Sequence, residues 1–131
     1  MILGIGSDII SVSRVKSLAI NSNGKVFARI LAKDEILKLD DDLKSQKNIA
    51  FLAKRFAAKE AVAKAIGTGF SNTIFPKDIE ILRNSAGKPY INAQANLEEV
   101  FSDLRIINSH VSIADEIDYV VAFVIIEVWI K

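Results

Sequence analysis

Residues 51–69 read Phe51-Leu52-Ala53-Lys54-Arg55-Phe56-Ala57-Ala58-Lys59-Glu60-Ala61-Val62-Ala63-Lys64-Ala65-Ile66-Gly67-Thr68-Gly69. The pattern predicts one long helix over 47–66, stopped by Gly67 and Gly69, which accept the left-handed conformation that ends helices. On a wheel of about 100° per residue, Ile49, Leu52, Phe56, Ala63 and Ile66 define an apolar arc. Lys59 falls inside that arc, and Glu60 falls on its edge beside Ala53 and Phe56. Charged side chains are seldom placed there without partners, because leaving water is costly. Glu60 stands four residues before Lys64, the favourable order for a helical ion pair worth roughly 0.3–0.5 kcal/mol. Such a pair accounts for Lys64 but not for Lys59. Arg55, Lys59 and Lys64 around one carboxylate fit a multiply anionic ligand with a metal ion.

Working outward, residues 2–10 are rich in isoleucine, carry glycine at alternate positions and predict a strand. Gly4, Gly6 and Asp8 then share one face. Two missing side chains beside a carboxylate suggest a shelf where a ligand approaches the backbone. The plainer alternative is that Asp8 caps a helix beginning near Ser11–Ser13. The glycines lie within the strand and not in a turn after it, so they are not a dinucleotide fingerprint. Residues 11–31 predict helix, interrupted by the turn signal Asn21-Ser22-Asn23-Gly24. A further short helix is expected from Asp34 to about Leu43, with acids in its first turn.

Pro76 opens a second half. Strands are expected at 78–83 and 88–92 around an Asn84-Ser85-Ala86-Gly87 hairpin turn, a short helix over 94–104, and strands at 106–114 and 119–130. The order gives an α+β fold: one domain over 1–131, with an antiparallel sheet packed on a long central helix. The last strand is apolar at successive positions from Val120 to Ile126. It is therefore either a central core strand or one whose second face meets another subunit.

The 131 residues suffice for one core, with half of them hydrophobic and a quarter charged. The absence of cysteine removes disulfides, zinc-thiolate sites and cysteine nucleophiles. The Tyr119–Ile126 run is too short to span a bilayer as a helix. No signal peptide is evident, so a cytoplasmic protein without membrane association is expected. Net charge is +1, but it is unevenly placed. Arg14, Lys16, Lys25, Arg29 and Lys33 occur with no acid between Ile9 and Lys33, whereas five acids follow from Asp34 to Asp42. That basic segment is either a solvated face or a surface for an acidic partner. His110, the single histidine, reads as structural before it reads as a base. Gly87-Lys88-Pro89 reads as an ordinary turn before it reads as a phosphate contact.

Taken together, Gly4-Ile5-Gly6-Ser7-Asp8-Ile9, Arg29-Ile30-Leu31, the 51–61 stretch with Lys64, Gly67-Thr68-Gly69, Gly87-Lys88-Pro89-Tyr90 and His110-Val111-Ser112-Ile113 before Tyr119 keep one order and spacing over nearly the whole chain. The chain thereby resembles the small 4'-phosphopantetheinyl transferases of the holo-acyl-carrier-protein synthase type. The resemblance implies transfer of 4'-phosphopantetheine from coenzyme A to a serine of acyl carrier protein, releasing adenosine 3',5'-bisphosphate, in fatty acid biosynthesis. It implies Mg²⁺ held by Asp8 and Glu60, with Lys64 near the diphosphate. The same likeness places Arg55, Lys64, Gly67, Gly87, Lys88, Pro89 and Ser112 in coenzyme A contact, and Arg14, Lys25 and Arg29 in docking of the acidic carrier. It implies a homotrimer with active sites between protomers, and two acceptors stand open for the serine proton, Glu60 and a water on the metal.

Three positions depart from the family pattern. Ala114-Asp115 replaces a Ser-His or Thr-His pair, so a coenzyme A contact made by that histidine passes to Asp115 or is lost. Phe27-Ala28-Arg29 is one residue tighter than usual, and Ala32 replaces a threonine cap. Two rival readings are a non-catalytic carrier-binding module and a nucleic-acid binder using Arg14, Lys16, Lys25 and Arg29. The intact Asp8–Glu60–Lys64 set argues against the first. Near-zero net charge and the lack of aromatics interleaved on that patch argue against the second.

Overall fold

The computed structural model describes residues 1–70 and 74–130. Strand β1 (Ile2–Ser11) leads into α1 (Val12–Asn21), and α2 (Lys25–Ile30) follows after the expected Asn-Gly break. The short α3 (Lys33–Ile36) precedes the long α4 (Gln46–Ile66). A 3-10 turn (Pro76–Asp78) then opens the hairpin β2 (Ile79–Arg83) and β3 (Pro89–Ala93), α5 (Ala95–Asp103), and the strands β4 (Ile106–Asp115) and β5 (Tyr119–Val128). The main sheet is antiparallel in the order β1-β5-β4, and β2-β3 forms a separate two-stranded sheet. The expected α+β architecture, a sheet on one long helix, is the one found.

Helix α4 is the centre of the core. Ser45 caps its start by accepting the Asn48 N–H at 3.1 Å, and Gly67 ends it with φ of 95°. Leu52, Ala53, Ala57, Ala58, Ala61, Val62 and Ala65 are all buried, so the helix is covered on nearly every side. The sheet lays Val120, Ala122, Val124 and Ile126 of β5 into the same core. This burial stabilises the domain at roughly 1.5–3 kcal/mol per large aliphatic side chain.

The glycines of β1 serve that packing and not an open shelf. A Cβ at Gly4 would stand 2.1 Å from the Ala65 carbonyl oxygen, and one at Gly6 would stand 2.0 Å from that of Ala61. The backbone of α4 fills the space expected for a ligand. Glycine on the strand and alanine on the helix let the two backbones touch. Asp8, two residues further along the same face, is the first residue of this row with a side chain, and it therefore meets α4 directly.

One other expectation changes, and one alternative narrows. The acidic run after Ile36 is not helical to Leu43. The buried Asn48 side chain accepts the Asp40 N–H at 2.8 Å and donates to the carbonyls of Asp40 at 3.0 Å and Asp42 at 2.9 Å. These bonds replace helical ones and hold the segment as a loop. Of the two alternatives for β5, burial of both faces within this chain is not the one found, and the alternative of a second face meeting another subunit stands open. The alternate β5 residues Tyr119, Phe123 and Ile125 are exposed, beside Leu3, Ile5 and Ile9 of β1. Ile5 is 71% and Phe123 54% exposed, so none of the described residues covers that outer face. Among the described residues, no helix is long and apolar enough to cross a membrane.

Candidate functional site

The charges of α4 divide between two sides of the helix. On the β1 side, Asp8, Glu60 and Lys64 meet in a hollow of about 290 Å³, with Ile10, Arg14, Leu18 and Phe56 in its walls. Lys64 donates to Asp8 Oδ1 at 2.9 Å and to the Ser7 carbonyl at 3.0 Å. The i,i+4 pair with Glu60 expected from spacing is thus replaced by a link from α4 to β1. Burial pushes the Glu60 carboxyl above the ordinary carboxylate range, and the neighbouring Asp8 raises it further, while Lys64 opposes the rise. Two carboxylates and one ammonium share the hollow, and Lys64, about half exposed, is more open to solvent than Asp8.

A metal ion fits this donor set. Among the described residues, no group of three or more His, Cys, Asp or Glu side chains converges. The chain therefore offers two hard carboxylates and leaves other positions to water and substrate, as Mg²⁺ sites beside phosphates commonly do. Lys64 already places a cation on Asp8.

On the other side of α4, Lys59 is wholly buried and turned away from the hollow. Its ammonium donates to Glu35 Oε1, to the Ile30 carbonyl at 2.7 Å and to the Pro76 carbonyl at 3.1 Å. Glu35 also accepts the Ala32 N–H at 2.8 Å and the Ile81 N–H at 3.1 Å. The expectation that Lys59 joins Lys64 around Glu60 is therefore overturned. Lys59 has an internal carboxylate of its own, which pins α2, α3, α4 and β2 together. Burial lowers the Lys59 pKa from its ordinary value, and Glu35 opposes that shift.

Arg55 does not reach the Asp8–Glu60–Lys64 hollow either. It lines a separate groove of about 480 Å³ together with Lys38, Lys47, Phe51, Lys54, Glu35, Arg83 and Tyr90. The two cavities share no lining residue. The Arg55 guanidinium lies 4.2 Å above the Phe51 ring. Its Nε is buried, 3.8 Å from Glu35 Oε2, and has no hydrogen-bond partner among the described residues.

The remaining sequence-derived positions scatter around these cavities. Gly87, Lys88 and Pro89 form the exposed β2–β3 turn, tied down by Asn84 Oδ1, which accepts the Lys88 N–H at 3.0 Å. The Gly87 carbonyl accepts from Arg83 Nη1 at 2.7 Å, which joins the turn to the rim of the Arg55 groove. Ser112 sits on the outer sheet face opposite Phe123, and Gly67 caps α4. His110, on that same outer face, lies 2.9 Å from Glu127. Asp115 pairs with Lys54 of the groove at 3.5 Å. Arg14 borders the hollow, while Lys25 and Arg29 stand exposed on α2. Glu35, Lys54 and Arg83 were not singled out from the sequence, and Tyr90 entered only as the end of the Gly87–Tyr90 motif. The usable signal for Glu35 was Lys59 itself, since a lysine on an apolar arc demands a buried acceptor.

Comparison with known proteins gives the family. The model of the 4'-phosphopantetheinyl transferase superfamily matches residues 4–124. A holo-[acyl-carrier-protein] synthase of Hamiltonella defensa is 39% identical over 126 residues, covering 96% of this chain and 98% of the relative. The crystal structure of holo-[acyl-carrier-protein] synthase from Neisseria meningitidis superposes with a TM-score of 0.88 at 38% identity, over 97% of this chain and 99% of the other. A Bacillus anthracis holo-(acyl-carrier-protein) synthase in complex with CoA (3',5'-ADP) gives 0.80 at 32% identity, over 98% and 99%. On its sequence and its fold alike, the chain belongs to the 4'-phosphopantetheinyl transferase superfamily.

Proposed function

We propose that this protein is a holo-[acyl-carrier-protein] synthase that moves 4'-phosphopantetheine from coenzyme A to a serine of apo acyl carrier protein, with adenosine 3',5'-bisphosphate as the other product. The observation that carries the reading is the convergence of Asp8, Glu60 and Lys64, from segments more than fifty residues apart, in one half-open hollow. The carrier serine oxygen attacks the phosphorus next to the pantetheine arm. The bond to the bridging oxygen breaks, and the bisphosphate leaves. The carrier supplies the nucleophile, so the chain supplies position and charge. Asp8 and Glu60 would hold Mg²⁺, which when bound offsets charge on the diphosphate. Lys64, a flexible point charge, is placed to shift from Asp8 to the leaving bisphosphate. Arg14, Lys25 and Arg29 would receive the acidic carrier beside the hollow.

The groove around Arg55 would take the nucleotide end of coenzyme A, with cations for phosphate and Phe51 and Tyr90 for the base. Because the groove and the hollow lie on different sides of one helix, the working site would join the hollow of one protomer to the groove of its neighbour. The uncovered apolar sheet face, with Ile5, Ile9, Phe123 and Ile125, supports assembly into the homotrimer that this arrangement needs. Ser112 lies on that face. A cytoplasmic place in fatty acid biosynthesis completes the proposal.

The test is the intact mass of purified apo acyl carrier protein after incubation with this protein, coenzyme A and Mg²⁺, with an EDTA control. A gain of one phosphopantetheine, absent with EDTA, is the expected result. An unmodified carrier under both conditions overturns the proposal.

A further inference from the structure

We propose that Glu35 and Lys59 act as a buried positioning pair that holds the Arg55 guanidinium ready for the phosphates of coenzyme A. The inference rests on the reading of the Arg55 groove given above. Lys59, at 0% exposure, has no surface in the groove, and Glu35, though it borders the groove wall, is only 1% exposed and offers a ligand almost no surface. Arg55, at 6%, reaches the groove surface.

The hydrogen-bond inventory separates the roles. All three donors of the Lys59 ammonium are used, on Glu35, Ile30 and Pro76. Glu35 Oε1 is occupied by Lys59 and the Ala32 N–H, and Oε2 by the Ile81 N–H. Arg55 Nε faces Oε2 at 3.8 Å, beyond a direct hydrogen bond. Two cations thus stand on one buried carboxylate, and the lysine holds it. Glu35 orients Arg55 through charge without engaging its donors. The guanidinium keeps a net positive charge and a free donor fork, and the Phe51 ring fixes its plane. An arginine held this way need not be ordered when an anion arrives, which favours binding. Were Lys59 absent, Glu35 would be free to take Arg55 as its own counter-ion and withdraw it from the groove.

Because Glu35 and Lys59 carry opposite charges, replacing both leaves the local net charge unchanged. The double variant E35Q/K59M therefore reads position and not field strength. Its affinity for adenosine 3',5'-bisphosphate, measured by calorimetry on the intact protein, should fall roughly five- to tenfold. KM for coenzyme A should rise in proportion, while kcat at saturating coenzyme A stays within about twofold. A purely structural pair would lower the melting temperature and leave bisphosphate affinity unchanged, and that result in a folded double variant overturns the proposal. R55A separates the two readings. If R55A binds the bisphosphate as well as the wild type, the groove assignment fails. If R55A weakens binding and E35Q/K59M does not, only the positioning role fails. Should the double variant not fold, the Arg55 Nε–H resonance of the ligand-free wild type decides. A rigid, solvent-protected signal is expected, and a mobile one overturns the inference.

Discussion

Lys59 and Glu60 are neighbours on α4, yet their surroundings are opposite in kind. Lys59 lies fully buried in a closed network where each donor of its ammonium has an acceptor. Glu60 lies in an open hollow whose two carboxylates have one ammonium between them, and that ammonium sits on Asp8. A turn of about 100° around the helix axis separates a charge that holds the fold from a charge available for chemistry. Completeness of partnering, more than burial alone, distinguishes the two sides. The closed side fixes where the helix sits, and the open side keeps unspent electrostatic capacity for a ligand.

The sharpest way to break this contrast is to open the closed side. Glu35→Ala leaves two buried cations without a carboxylate and should cost about 3–5 kcal/mol of stability, measured by urea denaturation. A loss under 1 kcal/mol would show the network to be dispensable. Glu60→Gln tests the open side and should reduce carrier modification on the order of a thousandfold without unfolding the protein. It should also raise the melting temperature at neutral pH. The folded-state pKa of Glu60 lies above its ordinary value of 4.5, so the folded protein binds the extra proton and stability falls as pH rises through that window. The variant removes this fall, and its advantage should vanish below pH 4.5, where wild-type Glu60 is protonated in both states. Gly6→Ala adds a methyl group against the Ala61 carbonyl and should cost roughly 1–3 kcal/mol by the same denaturation assay, moving the wall that carries Asp8. Lys64→Met is the smallest in stability, under about 1 kcal/mol, because its pair with Asp8 is half exposed. A loss as large as that of Glu35→Ala would erase the distinction between the two sides.

The elements of the fold were readable because local signals agreed with tertiary packing. The Asn21–Gly24 break, the Gly67 stop and the Asn84–Gly87 turn all lie where local chemistry puts them. The helix expected through Leu43 failed because Asn48, several residues later, holds that segment with its side-chain amide. Asp8, Glu60 and Lys64 were legible as a set through the family resemblance, and their meeting in one hollow agrees with it. Lys59 was placed wrongly because its partner Glu35 comes from a different helix and carries no periodic mark. The glycines of β1 were assigned to a ligand because a strand pattern does not reveal which backbone lies across it. The helix wheel groups Arg55 with Lys59 and Lys64 around the Glu60 carboxylate, whereas helix rotation sends it to the other cavity.

Pairing of β1 with β5 joins residues near position 5 to residues near position 125, with Ile5 opposite Ile125 and Ile9 opposite Val121. During synthesis on the ribosome, the first strand therefore waits for almost the whole chain before its backbone finds a partner. Helix α4 is complete long before then and offers Ala61 and Ala65 to the glycine face of β1, but the sheet that clamps this contact arrives last. Such long-range closure makes folding slow for a domain of this size and leaves the backbone of β1 unpaired in the nascent chain. The carboxylate hollow, bounded by β1 and α4, is accordingly among the last features of the molecule to take shape.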